Sequence, residues 1–342
     1  MTGAWTDRRA WTGEARGKAC HCGAVRGAAS VGLTKVAARP CRKCLWFMGA
    51  ESEAFCMVPQ SVLREGPLRQ EELTERQFNH ISSLVKDLCG INLHDGKKEL
   101  VKARLAKRLR ELKMGSYREY VEFVSTDAGS AEVLSMLDAL STNLTFFFRE
   151  QSHFDLLTQQ AGPEMLARHD RDRAIRIWSA GCSSGEEPYS IAVVMNQLAP
   201  AAAGWDVRIL ATDLSRRMLE IARRGVYARE RFRDTWPRTI AENFTCIQGC
   251  QPRQYRVNEP LRRMVTFARL NLMDSWPMQG PFDVIFCRNV MIYFDKATQN
   301  RLVDRYWQIL APGGLLFIGH SESLSGVTHR FRYVQPTVYR KD

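Results

Sequence analysis

The sequence predicts an α/β protein: a doubly wound, mostly parallel sheet that carries a small inserted antiparallel β subdomain and follows an all-α N-terminal domain. Three observations predict this. Apolar residues recur at helical spacing between Thr74 and Leu140, and from Ile175 onward short apolar runs alternate with helical stretches. Between Tyr227 and Arg263 the alternation breaks off, with Pro237, Pro252 and Pro260 punctuating it. The expected divisions are residues 1–70 as a disordered tail, 71–145 as a helical domain and 146–342 as the sheet domain, with the insertion at about 227–263.

Residues 1–70 are rich in Arg, Ala and Gly, and Trp5, Trp11 and Trp46 follow no period. Cys20 and Cys22 with Cys41 and Cys44 could supply four sulfurs, but the first pair is too tight and no strand signals flank it, so no metal is assigned. Thr74-x-x-Gln77 is a capping box opening a helix with Phe78, Ile81, Leu84, Val85 and Leu88 on one face, stopped at Gly90. A second helix follows Asp95, carrying Leu100, Val101, Leu105, Leu109 and Leu112. Ser116 caps a third, and Ser130 opens a fourth. Ile175–Trp178 is a strand leading into a glycine turn, with a helix from about Glu186 to Leu198. A strand over Val207–Thr212 ends at Asp213, and Ser215 caps the helix that stops at Gly225. Later come strands at Val284–Phe286 and Leu315–Ile318, separated by a helix after Asp295 and a Pro-Gly-Gly turn.

Composition narrows the function classes. The chain of 342 residues is 45% hydrophobic and 25% charged, as soluble globular proteins are. No apolar run approaches the ~18–20 residues of a membrane span, and no apolar segment follows the N-terminal arginines as in a secretory signal. The ten cysteines are therefore expected as free thiols in a reducing cytoplasm. A net charge of +12 suggests nucleic acid, yet about half of it lies in the first 70 residues and another block lies between Lys97 and Lys113. Such a basic helix suits an acidic protein surface equally well.

Five stretches carry chemistry. In IWSAGCSSGEEPYS, residues 177–190, Gly181 and Gly185 let the backbone turn sharply at the sheet edge where nucleotides bind. An ordinary phosphate cradle relies on a positive helix start, and Glu186 and Glu187 would repel pyrophosphate there. They favour a phosphate-free, positively charged ligand, and S-adenosylmethionine is one. The plainer reading is that both only complement the helix dipole. Asp213, at the end of VRILATD, is placed to accept hydrogen bonds from ribose hydroxyls. LAPGGLLFIGHSE, residues 310–322, fits a late crossover of the sheet. STNLTFFFRE, residues 141–150, sets Asn143, Thr145 and Arg149 beside three phenylalanines at the domain boundary, where ligand sites concentrate. FDVIFCRNVMIYF, residues 282–294, is a buried strand ending in Arg288 and Asn289, with Tyr293 just beyond.

Together these stretches resemble the chemotaxis receptor glutamate methyltransferases, the CheR family, over about residues 74–340; GEEPYS and CRNVMIYF are the distinctive parts. The resemblance implies a Rossmann-like methyltransferase sheet and transfer of a methyl group from S-adenosylmethionine to receptor glutamates. It implies cofactor contacts at Asn143, Thr145, Arg149, Glu187, Asp213, Asn271, Leu272, Arg288 and Asn289, with Arg149 and Tyr293 nearest the reacting methyl group. Asn271 and Leu272 come from ARLNLMD, after a strand containing Val265 and Phe267. It also implies that Lys97, Lys98, Lys102, Arg104, Lys107, Arg108 and Arg110 dock the acidic coiled coil of a methyl-accepting receptor, against a plainer reading as a solvated face. A monomeric, cytoplasmic enzyme without membrane insertion or nucleic-acid substrate is expected. The strand ending at Cys287 lacks the Asn/Asp-Pro-Pro-aromatic group that would hold an extruded base.

Overall fold

The computed structural model describes residues 72–342 apart from Asp234. The expected tail and the Cys20–Cys44 sulfurs lie outside the described residues.

Four helices come first: α1 (Glu75–Cys89), α2 (Lys98–Leu112), α3 (Tyr117–Val124) and α4 (Ser130–Leu140). The capping box forms as the sequence requires, with the Thr74 hydroxyl accepting from the Gln77 amide and the Gln77 side chain accepting from Thr74. Gly90 closes α1 in the left-handed region at φ 76°. Phe78, Ile81, Val85, Val101, Leu105, Leu109, Tyr120, Met136 and Leu137 form one buried core. Two expected core positions are corrected: Leu88 and Leu100 are 38% and 42% exposed. Leu100 faces the cleft described below instead of the helical core. The basic block is also not one helix. Lys97 lies in a 3-10 turn before α2, and Lys113 is its left-handed C-cap.

A helical stretch that the sequence reading omitted follows: α5 (Gln151–Leu156), a π-turn at Leu157–Ala161 and α6 (Gly162–Arg168). Its buried Phe154, Leu157 and Met165 belong to the core of the sheet domain. Then come β1 (Ala174–Ala180), α7 (Glu186–Leu198), β2 (Asp206–Asp213) and α8 (Arg216–Arg224). The insertion consists of β3 (Val226–Ala228), α9 (Pro237–Asn243), β4 (Phe244–Ile247) and β5 (Gln254–Val257), with the strands antiparallel in the order β3-β5-β4. After α10 (Glu259–Met264), the chain returns through β6 (Val265–Arg269), β7 (Phe282–Cys287), α11 (Lys296–Ile309), β8 (Leu310–Ile318), β9 (Arg332–Gln335) and β10 (Val338–Arg340).

The main sheet has the order β6-β2-β1-β7-β8-β10-β9, and its first five strands are parallel. From β1 the chain runs outward one way to β2 and β6 and later the other way through β7 to β8. The switch point therefore lies between β1 and β7, where a crevice opens beyond the strand ends. The expected doubly wound sheet and antiparallel insertion are both present. The Pro-Gly-Gly segment is not a turn before β8, as the sequence suggested, but an irregular part of it: pairing passes from Phe282 opposite Leu310 to Val284 opposite Leu315. The antiparallel β9–β10 edge was not anticipated, because its strands are too short to show a period.

The three consecutive phenylalanines separate in role. Phe147 is buried in the insertion, stacked 4.6 Å from Phe232 and edge-on to Tyr227 and Phe244 at 5.0 and 5.1 Å. Phe148 packs edge-on against Phe154, and the Arg233 guanidinium lies over Phe146. This zipper fixes the segment between Asn143 and Glu150 against the sheet domain.

Candidate active site

At the switch point lies a cleft with a cavity volume of about 260 Å³, walled by the helical domain on one side and by the strand ends on the other. That is near the lower end of the ~300–1,000 Å³ typical of small-molecule sites. Its floor is the turn after β1. Gly181 takes φ 95°, and the amides of Gly181 and Cys182 donate to the Thr212 carbonyl at 2.8 and 2.9 Å. Asp213 closes the next part of the turn, accepting from the Ser183 and Ser215 amides, both at 2.8 Å. Each of its oxygens keeps a further lone pair for a ligand hydroxyl. Burial pushes the Asp213 carboxyl above its ordinary range, against the pull of those amides.

The glutamates at the start of α7 part company. Glu187 faces the cleft, accepts from the Ser179 hydroxyl at 2.7 Å and pairs with Arg288 at 3.0 Å. Glu186 is fully buried away from the cleft, accepting from Ser184 at 2.7 Å with Arg231 at 3.4 Å. Both carboxyls are raised by burial, each opposed by its donors. One carboxylate of the pair therefore faces a ligand.

Arg288 commits most of its donors to protein. Its guanidinium donates to Glu187, to Glu150 at 3.1 and 3.2 Å, and to the carbonyl of Arg149. Burial opposes ionisation of Glu150, yet Arg288 and Asn289 hold its carboxyl below the usual range. Glu150 thus ties the Arg149 segment to the turn after β7, and sequence reading missed it. Its left-handed backbone, φ 59°, left no mark in residue type. Glu150, His153 and His320 also bring three potential metal donors together. Burial and the nearby Arg288 push the His153 pKa down to about 3, and the carboxylate is already flanked by Arg288 and Arg149, so a cation there would meet two guanidinium groups.

The mouth of the cleft is basic. Arg149 donates to the Leu144 carbonyl at 2.6 Å and stays about one-quarter exposed. The Tyr293 hydroxyl donates to the Thr142 carbonyl at 3.4 Å, and the Lys97 ammonium lies 5.2 Å from its ring centre. Arg104 holds the same segment through Leu140, Ser141 and Thr142 at 2.5 to 3.0 Å. Asn143, Thr145, Asn271, Leu272 and Asn289 also line the cleft. The Asn271 amide donates to the Leu88 carbonyl at 2.7 Å, bridging the sheet to α1.

The basic helix is less free than its composition suggests. Lys98 pairs with Glu75, Lys102 with Glu72, and Arg108 with Glu111 and the buried Glu132. Lys107, beside Glu111 at 3.9 Å, and Arg110 remain solvent-facing, and Lys97 and Arg104 line the cleft.

An open sheet with a glycine turn, an acid at the end of its second strand and a half-buried glutamate facing the crevice defines a nucleoside-binding protein whose ligand carries positive charge. The donor set fits S-adenosylmethionine, since two half-buried carboxylates suit its sulfonium, amino and ribose groups and would repel a pyrophosphate. Family models agree: "CheR methyltransferase, SAM binding domain" matches residues 143–340, and "CheR methyltransferase, all-alpha domain" matches residues 76–141. The chain is 43% identical to a probable chemotaxis protein methyltransferase of Rhizobium etli over 74% of its length and 94% of the relative's. It is 43% identical to chemotaxis protein methyltransferase 2 of Pseudomonas aeruginosa over 78% and 93%, and 39% identical to the chemotaxis protein methyltransferase of Escherichia coli over 78% and 91%. The protein is an S-adenosylmethionine-dependent methyltransferase. It belongs to the CheR family of chemotaxis methyltransferases.

Proposed function

We propose that the protein methylates glutamate side chains of a chemotaxis receptor, forming carboxyl methyl esters, as a monomer in the cytoplasm. The observation that carries this reading is the juxtaposition in one cleft of two carboxylates, Glu187 and Asp213, with three cationic side chains, Arg149, Lys97 and Arg104. The carboxylates suit a cation and the cationic side chains suit an anionic acceptor.

When bound, S-adenosylmethionine supplies a methyl group activated by its sulfonium. Asp213 accepts from the ribose hydroxyls, Glu187 balances positive charge, and Asn143, Thr145, Arg149, Asn271, Leu272, Arg288 and Asn289 complete the wall. Arg149 and Tyr293 sit at the rim, where they steer and hold the incoming carboxylate. A glutamate, with a pKa near ~4.3, is already ionised at neutral pH, so no residue is needed as a general base. The work of the site is alignment and exclusion of water around a weak nucleophile. Too tight a grip on the carboxylate would stabilise the ground state, which fits a single partly exposed Arg149 better than a closed clamp.

Lys97, Lys107 and Arg110 offer charge for docking an acidic receptor coiled coil, with Arg104 at the cleft edge. Lys98, Lys102 and Arg108 contribute to the same field while paired within the fold. Among the described residues no helix is long and apolar enough to cross a membrane, so the receptor, not this chain, would bring the reaction to the bilayer. The testing experiment is incubation with methyl-labelled S-adenosylmethionine and receptor-containing membranes. Label released from the receptor as methanol by mild alkali supports the reading. Alkali-stable label, or label on nucleic acid, contradicts it.

A further inference from the structure

We propose that Glu322 is a positioning residue for methyl transfer: its carboxylate clamps the turn between Arg288 and Tyr293 that forms one wall of the cleft. Glu322 follows β8 and is 8% exposed. One oxygen accepts from the Asn289 amide at 2.8 Å and the Gly319 amide at 2.5 Å, and the other accepts from the Ile292 amide at 3.1 Å. Burial pushes the Glu322 carboxyl above its ordinary range, and the amides of Gly319, Asn289, Ile292 and Met291 pull against that rise. Among the described residues no ion pair neutralises this carboxylate, so converging backbone dipoles hold the charge. Such an arrangement uses both oxygens as acceptors, which a carboxyl group supplies and a side-chain amide does not.

The turn has reason to be held. It leaves β7 through Asn289 in the left-handed region, φ 58°, a conformation that cannot continue a strand. Arg288, Asn289, Val290 and Tyr293 all line the cleft, whereas Glu322 does not. It therefore acts through them. Gly319 belongs to the same device: a Cβ there would strike the Asn289 side-chain amide and come within 2.7 Å of the Asn289 backbone nitrogen. Glu150 grips Arg288 and Asn289 by their side chains. The turn is thus fixed by side chains from one element and by backbone from another. A displacement of about 1 Å at a wall that aligns reactants can cost on the order of 100-fold in rate, so the clamp bears on turnover as well as on folding.

The inference rests on the cleft being the site of methyl transfer to receptor carboxylates. The test compares wild type, Glu322→Gln, Gly319→Ala and the exposed control Ser323→Ala, below the melting temperature of every variant. The turnover number at saturating substrates and the Kd of S-adenosylhomocysteine are both measured. Gln is isosteric but sets an NH₂ group against backbone N–H donors. The clamp predicts at least about a tenfold fall in kcat for Glu322→Gln and Gly319→Ala, larger than the accompanying rise in Kd, because Asp213, Glu187 and the glycine turn remain intact while only the Arg288–Asn289 wall shifts. Ser323→Ala should match wild type. Wild-type kcat in either altered clamp overturns the inference, as does a loss of rate that only tracks the unfolded fraction. If Glu322→Gln does not fold, Gly319→Ala decides by the same criteria. Absence of alkali-labile methylation by wild type would instead defeat the functional reading itself.

Discussion

Asp213 and Glu187 are acids held above their ordinary pKa range by burial in an open cleft. Burial makes each easier to protonate than a free carboxyl, and a cationic ligand favours the ionised forms. Binding should therefore release protons once the pH enters the raised range, and affinity should weaken on acidification. Calorimetry of S-adenosylmethionine between about pH 7.5 and about pH 5, in buffers of different ionisation enthalpy, should show this loss and release; affinity that grew on acidification would contradict the sign. Arg149 invites a second prediction. It is partly exposed at the rim and donates one hydrogen bond to a nearby carbonyl, so Arg149→Ala should lower turnover by about 100-fold while shifting the melting temperature little. Receptor methylation and thermal denaturation of the same sample measure both.

At the scale of elements, α2 divides between folding and docking. Arg108 pairs with Glu132, whose carboxylate also accepts from the buried Tyr120 hydroxyl at 2.9 Å. Removing the arginine strands a buried carboxylate, so Arg108→Ala should cost about 3 kcal/mol of stability, read from the denaturant midpoint. Reversing the exposed Lys107 and Arg110 to glutamate should change stability by no more than about 1 kcal/mol, the loss of the Lys107–Glu111 pair included, and raise the apparent KM for receptor. The helix itself was legible, because its leucines repeat at helical spacing. Its division of labour was not: Glu72, Glu75 and Glu132 lie far away in sequence and meet the basic side chains only once the helices pack. The same limit hid Glu150 and Glu322. Each acts by hydrogen bonds across more than thirty residues of sequence or onto backbone amides, and neither leaves a spacing signal. By contrast, Gly181, Asp213 and the β7 end were legible because strand, turn and acid follow one another locally.

On the scale of the whole molecule, the fold supplies a crevice at its strand-order reversal, and the helical domain supplies the opposing wall. Asn271 reaching Leu88 and the Lys86–Asp295 pair at 2.9 Å tie those walls together. A cleft built this way can bind its nucleoside without the receptor, while docking depends on screened surface charge. Apparent receptor affinity should fall as salt rises through about 0.5 M, with cofactor Kd nearly constant; equal salt dependence of both would contradict this division. The central claim is that the crevice takes a phosphate-free adenosine compound and directs reaction outward. It is tested most directly by titrating the folded protein with S-adenosylhomocysteine in a calorimeter. Saturable binding at one site per chain, weakened at least about tenfold by Asp213→Ala, is the predicted result. No heat of binding from well-folded wild-type protein would contradict it.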